Sequence, residues 1–164
     1  MMVPGGLMTY IACFLTQFFY YPMLGSLIYV ALLIATQLLT QKVFAIPNRW
    51  ALLALIPSAL ILCCSMEVGY WIFQIKTQGY FYSMLVGFLF TLLAIRLYQV
   101  TKGWGRYVTV ALIAAAGYPL FGFYALLALL TIIAFELASK ERSMGLVLLC
   151  LAAGIATPIL YYNV

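Results

Sequence analysis

A chain that moves protons, holds metals or activates nucleophiles carries its tools as carboxylates, imidazoles and thiols. This one carries few. It has no His and no Asp, and its only acidic side chains are Glu67, Glu136 and Glu141. They offer no paired carboxylates for general acid–base work, and no Ser, Thr or Cys has an imidazole to activate it. No glycine-rich loop followed by Lys is present to cradle a phosphate. Cys13, Cys63, Cys64 and Cys150 lie in apolar stretches without C-x-x-C spacing and read as small hydrophobes, not as a metal or disulfide framework. The sequence therefore predicts no catalytic residue, no metal site and no cofactor.

Three charged positions remain as candidates. Glu67 is the candidate substrate residue. Counted from Trp50 it falls about 26 Å along a helix, near a membrane boundary, where a carboxylate could bind a substrate or a cation. The competing reading is an interfacial residue that ends a span, close to Lys76. Arg96 and Glu136 each fall near the end of an apolar run on the same side. They could pair across a helical bundle or reach the interface separately. Gln17, Thr36 and Gln37 are candidates for polar contacts between helices.

These positions must be held by elements that water does not stabilise. The 164 residues are 68% hydrophobic and 7% charged, against about 25% charged in an ordinary soluble domain. A core of this length cannot hide so much apolar surface, so lipid is the expected solvent. Four stretches, 23–39, 50–66, 80–98 and 144–162, approach the roughly 20 apolar residues that cross a bilayer, and 120–137 makes a fifth. Arms at 7–21 and 107–117 are shorter. The expected fold is all-α, a polytopic transmembrane bundle of six to seven helices forming one domain over residues 1–164. Pro57 and Pro158 are expected to kink their helices.

As one helix, the apolar run 107–137 would rise about 46 Å, too far for one crossing. It holds Gly117-Tyr118-Pro119-Leu120-Phe121-Gly122 at its middle and is expected to fold as a hairpin there. Tyr21-Pro22-Met23-Leu24-Gly25 repeats the pattern Y-P-x-x-G, so Tyr21, Pro22, Gly25, Tyr118, Pro119 and Gly122 are assigned as hairpin-turn residues. The order of short arm, turn, helix, basic loop and helix occurs twice, over 7–66 and 106–162. That order suggests a diverged repeat; the alternative is that aromatic-Pro-Gly strings simply suit interfacial turns.

Charge sets the thread. The net charge is +5. Lys42 and Arg49 share one polar interruption, Arg96, Lys102 and Arg106 a second, and Lys140 and Arg142 a third; only Lys76 falls elsewhere. Short loops rich in Lys and Arg stay on the cytoplasmic side. Loops 41–49, 99–106 and 138–143 are thus expected inside, with 67–79, both Y-P-x-x-G turns and the carboxy terminus outside. Tyr70, Trp71, Tyr80, Tyr82, Tyr161 and Tyr162 would form an outer aromatic belt, and Trp50 and Trp104 would mark the inner one. The dispersed charges exclude a nucleic-acid footprint, leaving the lipid bilayer as the expected partner.

The strings Pro4-Gly5-Gly6-Leu7, Phe14-Leu15-Thr16-Gln17-Phe18-Phe19-Tyr20-Tyr21-Pro22 and Gly117-Tyr118-Pro119-Leu120-Phe121-Gly122-Phe123-Tyr124-Ala125-Leu126 resemble segments of a family of uncharacterised bacterial polytopic inner-membrane proteins. The resemblance implies a multi-pass location in the cytoplasmic membrane. It also implies the early membrane part of a longer chain, with a further span before it and a periplasmic portion after it. More distantly, the layout is similar to glycosyltransferases that use polyprenyl-linked sugars. Those need acidic residues in an early outer loop, and with Asp absent no catalytic residue carries over. The expected function is a membrane anchor or structural membrane domain of an envelope protein, without enzymatic activity. The alternatives are the membrane half of such a transferase, with Glu67 facing an outer cavity, and a small transporter built on the repeat.

Overall fold

The computed structural model describes residues 5–75, 79–138 and 144–162, and the side chains of these except 66–75, Tyr80 and Tyr162. Lys76, Lys140, Glu141 and Arg142 lie outside the described residues.

Every described element is helical. In order they are α1 (Gly6–Thr16), a 3₁₀ turn (Gln17–Tyr20), α2 (Pro22–Val43), a 3₁₀ stretch (Asn48–Leu55), α3 (Ile56–Ile75), α4 (Tyr80–Val100) and α5 (Trp104–Leu112). A π-helical stretch (Ile113–Gly117), α6 (Tyr118–Phe121), α7 (Phe123–Ala138) and α8 (Met144–Tyr162) complete the chain. Four segments are long and apolar enough to cross a membrane: Pro22–Val43, Asn48–Ser65, Phe81–Val100 and Met144–Tyr161. Shorter apolar helices cover Gly6–Tyr20 and Phe123–Ala138.

The chain divides into two compact units, Leu7–Leu92 and Met1–Gly6 with Leu93–Val164, the division falling within α4. In the first unit, two glycines and one tyrosine mark close approaches between helices. The Gly25 backbone lies so close to the 3₁₀ turn that a Cβ there would sit 2.6 Å from Phe19 Cδ1 and 3.0 Å from Phe19 Cα. A Cβ on Gly79 would meet the Cys13 backbone nitrogen at 2.8 Å, so α1 passes directly over the start of α4. Tyr82 is fully buried and donates to the Gly25 carbonyl at 2.9 Å. Its ring packs against Phe19 and Tyr29, and the Tyr29 hydroxyl lies 3.1 Å from Ser65 Oγ. Tyr82 therefore belongs to the core and not to an exposed aromatic belt: its hydroxyl finds an acceptor within the protein, so it gains nothing from an interface. Trp50 and Trp104 are largely exposed.

The proline expectations divide. Pro57 does not bend a continuous α-helix. The chain enters as a 3₁₀ stretch with Trp50 off helical geometry (φ −111°, ψ 21°), and the α-helix begins one residue before Pro57. Near a helix start, a missing N–H costs nothing. Ser58 Oγ then reaches the Leu33 carbonyl of α2 at 3.4 Å. Pro158 does lie inside α8, preceded by Thr157, whose hydroxyl donates to Ala153 O at 2.9 Å. Thr36 is buried, yet its hydroxyl is spent on the Leu32 carbonyl of its own helix.

At the end of α2, Ala45 takes a left-handed conformation (φ 49°) while Ile46 N–H donates to Gln41 O at 3.0 Å. This is a closing turn that normally uses glycine. Ala45→Gly is expected to stabilise the unit by about 1 kcal/mol, measured as a rise in the unfolding midpoint in mixed micelles; a fall in the midpoint would contradict the assignment.

Candidate functional site

The second unit contains the one carboxylate whose surroundings the structure describes. Glu136, near the end of α7, is 4% exposed. Tyr98 of α4, itself 4% exposed, donates its hydroxyl to Glu136 Oε1. Arg106, at the start of α5, places Nη1 3.6 Å from the same oxygen, and its guanidinium carbon sits 5.6 Å from the Tyr98 ring centroid. Arg106 Nε also donates to Thr101 O at 3.3 Å, tying the group to the α4–α5 turn. Thr101 and Thr109 continue the polar seam, their hydroxyl oxygens 3.3 Å apart.

The backbone explains how residues so distant in sequence meet. Gly122 has φ 58° and ψ −130°, a region open to glycine and strained for any residue with a Cβ. There the chain reverses between α6 and α7. The arm Trp104–Phe121 rises about 27 Å and α7 about 24 Å, so their free ends lie level, and Arg106 at the foot of one faces Glu136 at the foot of the other. Glu136 thus meets a hydroxyl donor and an opposite charge at one oxygen, so its buried polar atoms have partners within the protein.

The two Y-P-x-x-G strings are not the same structure. Tyr21 is extended (φ −106°, ψ 97°) and Pro22 opens α2, so the break precedes the proline and Gly25 is an ordinary helical residue under Phe19. Tyr118 is helical and Pro119 sits within α6, so the break follows the proline, at Gly122. Tyr118 is buried with its ring against Tyr161 of α8, and the Pro119 carbonyl accepts from Gly5 N–H at 3.1 Å.

The Arg96–Glu136 pairing is replaced. Arg96 is exposed and hydrogen-bonds Gln99 on its own helix at 3.4 Å, while Glu136 takes Arg106 and Tyr98. The reason is rotational: Arg96 and Tyr98 stand two residues apart, about 200° around α4, so when Tyr98 faces the core Arg96 faces away. Sequence reading missed Tyr98 altogether and used Arg106 only as a topological charge. The available signal was their register about Gly122: Arg106 and Glu136 lie nearly equally far from it. Glu67 belongs to α3, but its side chain lies outside the described residues. Among the described residues no group of His, Cys, Asp or Glu could hold a metal ion.

The fold and this clasp define an all-helical protein with four helices long and apolar enough to cross a membrane, whose best-described polar feature ties helices together. Over residues 1–164 the chain matches a family described as a family of unknown function (DUF6057), and it belongs to that family. No curated protein and no solved structure matches it.

Proposed function

We propose that this chain is a multi-pass domain of the bacterial cytoplasmic membrane that serves as the anchor or scaffold of an envelope protein, and not as an enzyme. The observation that carries the reading is the outward face of its long helices. Met144–Tyr161 has a mean hydropathy of 2.1 with 11% of its residues buried, and Pro22–Val43 a mean hydropathy of 1.9 with 17% buried. Leu52 at 81% exposed and Met23 at 89% exposed would be untenable in water at this density of apolar neighbours, whereas hydrocarbon solvates them. The anchoring role is supported by the clasp itself, since Glu136 is occupied by Tyr98 and Arg106. The bilayer is the proposed partner, together with other envelope components that the scaffold would hold.

The test is extraction. The protein expressed in bacteria should stay with the membrane pellet through alkaline carbonate and high salt, and should be released only by detergent. A phosphatase that is active only outside the cytoplasm should work when fused after Tyr162 and stay silent when fused after Lys102. Release by carbonate would overturn the membrane reading, and the reverse pattern of fusions would overturn the orientation.

A further inference from the structure

The turn that joins α4 to α5 combines a fixed backbone with an exposed lysine and an exposed tryptophan. Thr101 closes α4, its hydroxyl 2.9 Å from Leu97 O and 3.0 Å from Tyr98 O. Gly103 then reverses the chain with φ 58°, and a Cβ there would meet nothing within 4 Å, so the space above the turn is open. Trp104 is 85% exposed, its ring tilted against Tyr107 at 6.5 Å between centroids. Lys102 is exposed and makes no ion pair among the described residues. Arg106 commits Nε to Thr101 and Nη1 to Glu136, while Nη2 carries no hydrogen bond among the described residues.

Each part points to the same chemistry. An exposed indole at the end of an apolar helix partitions to headgroup depth. A lysine beside it places its ammonium among lipid phosphates while its stem stays in the apolar region. Arg106 is paired with Glu136, so the uncompensated charge of the turn is that of Lys102, held on a backbone fixed by Thr101 and by the Arg106 clasp. We propose that the Thr101–Arg106 turn binds the headgroup of an acidic phospholipid, with Lys102 contacting its phosphate and Trp104 lying alongside. This rests on the membrane reading above and specifies the lipid that the scaffold selects.

The test uses Trp104 as the reporter. In the full chain carrying Trp50→Phe and Trp71→Phe, with helicity checked by circular dichroism, fluorescence is quenched in vesicles holding equal fractions of brominated phosphatidylglycerol or brominated phosphatidylcholine. The acidic lipid should be enriched around Trp104 by about fivefold, the effect of one basic residue close to an acidic surface. The enrichment should vanish in Lys102→Gln and return in Lys102→Arg. Equal quenching by both lipids, or an enrichment that survives Lys102→Gln, overturns the proposal. Loss of the enrichment on adding millimolar inorganic phosphate at constant ionic strength also overturns it, since the turn would then hold a free anion. If no brominated lipid quenches Trp104 at all, the turn does not lie at a membrane, and it is the membrane reading that fails.

Discussion

Glu136→Ala is expected to cost about 3 kcal/mol of stability, because Tyr98 cannot be resolvated where it stands and Arg106 only in part. Tyr98 would lose the acceptor of its hydroxyl, and Arg106 the counter-charge at 3.6 Å. Arg106 is 38% exposed, which holds the cost at the lower end of the range for a broken buried pair. Glu136→Gln keeps an acceptor for Tyr98 and loses only the ion pair, so about 1 kcal/mol is expected. The triple change Tyr98→Phe, Arg106→Leu and Glu136→Leu removes the three clasp groups together and should recover most of the loss, since neither Tyr98 nor Arg106 is then left without its partner. Detergent-driven unfolding in mixed micelles, followed by tyrosine and tryptophan fluorescence, measures all three. Equal losses for alanine and glutamine would show that the Tyr98 hydrogen bond contributes nothing, and no loss in either would show that the clasp does not hold the helices.

The second large effect belongs to the backbone. Gly122 and Gly103 share one unusual geometry, φ 58° with ψ −130° and φ 58° with ψ −131°. An L-residue there pays for torsional strain of roughly 1–3 kcal/mol. Gly103 has nothing within 4 Å of its missing Cβ, so Gly103→Ala isolates that torsional cost, expected at about 2 kcal/mol. Gly122 is buried between α6 and α7, and Gly122→Val should cost more than the torsion alone, about 3 kcal/mol. The unfolding midpoint of each variant relative to the parent is the measurement. A neutral Gly122→Val would mean that the chain does not reverse at that residue.

Composition made the framework legible. The four long helices fall where apolar runs of membrane-crossing length lie, because a run of that length in lipid has no alternative to satisfying its own backbone. The contents of the candidate site were far less legible, and the reasons are specific. Apolar helices in lipid lack the polar face that betrays orientation in a soluble protein, so nothing in the run around Arg96 says that Tyr98 points inward and Arg96 outward. Identical letters also conceal different backbones. In Tyr21-Pro22-Met23-Leu24-Gly25 the proline starts a helix, whereas in Tyr118-Pro119-Leu120-Phe121-Gly122 it lies in one, and what decides between them is the preceding turn: a 3₁₀ end in the first case and a π-helical stretch in the second. Pro57 likewise gave no sign that it would open a helix and not bend one, because the residues from 50 to 55 form an unbroken apolar run with those that follow.

The clasp at the foot of the hairpin also bears on how such a chain would be made. While the arm Trp104–Phe121 emerges alone, Arg106 carries a positive charge with its counter-ion still unsynthesised; when α7 follows, Glu136 brings the compensating charge to the same depth. Released singly, each arm would present lipid with an ion; released together, they present a neutral pair. On the membrane reading proposed above, the two arms should therefore leave the insertion machinery as one unit, with Gly122 as the fold between them, and the turn of the hairpin would also be the point at which its biogenesis must wait.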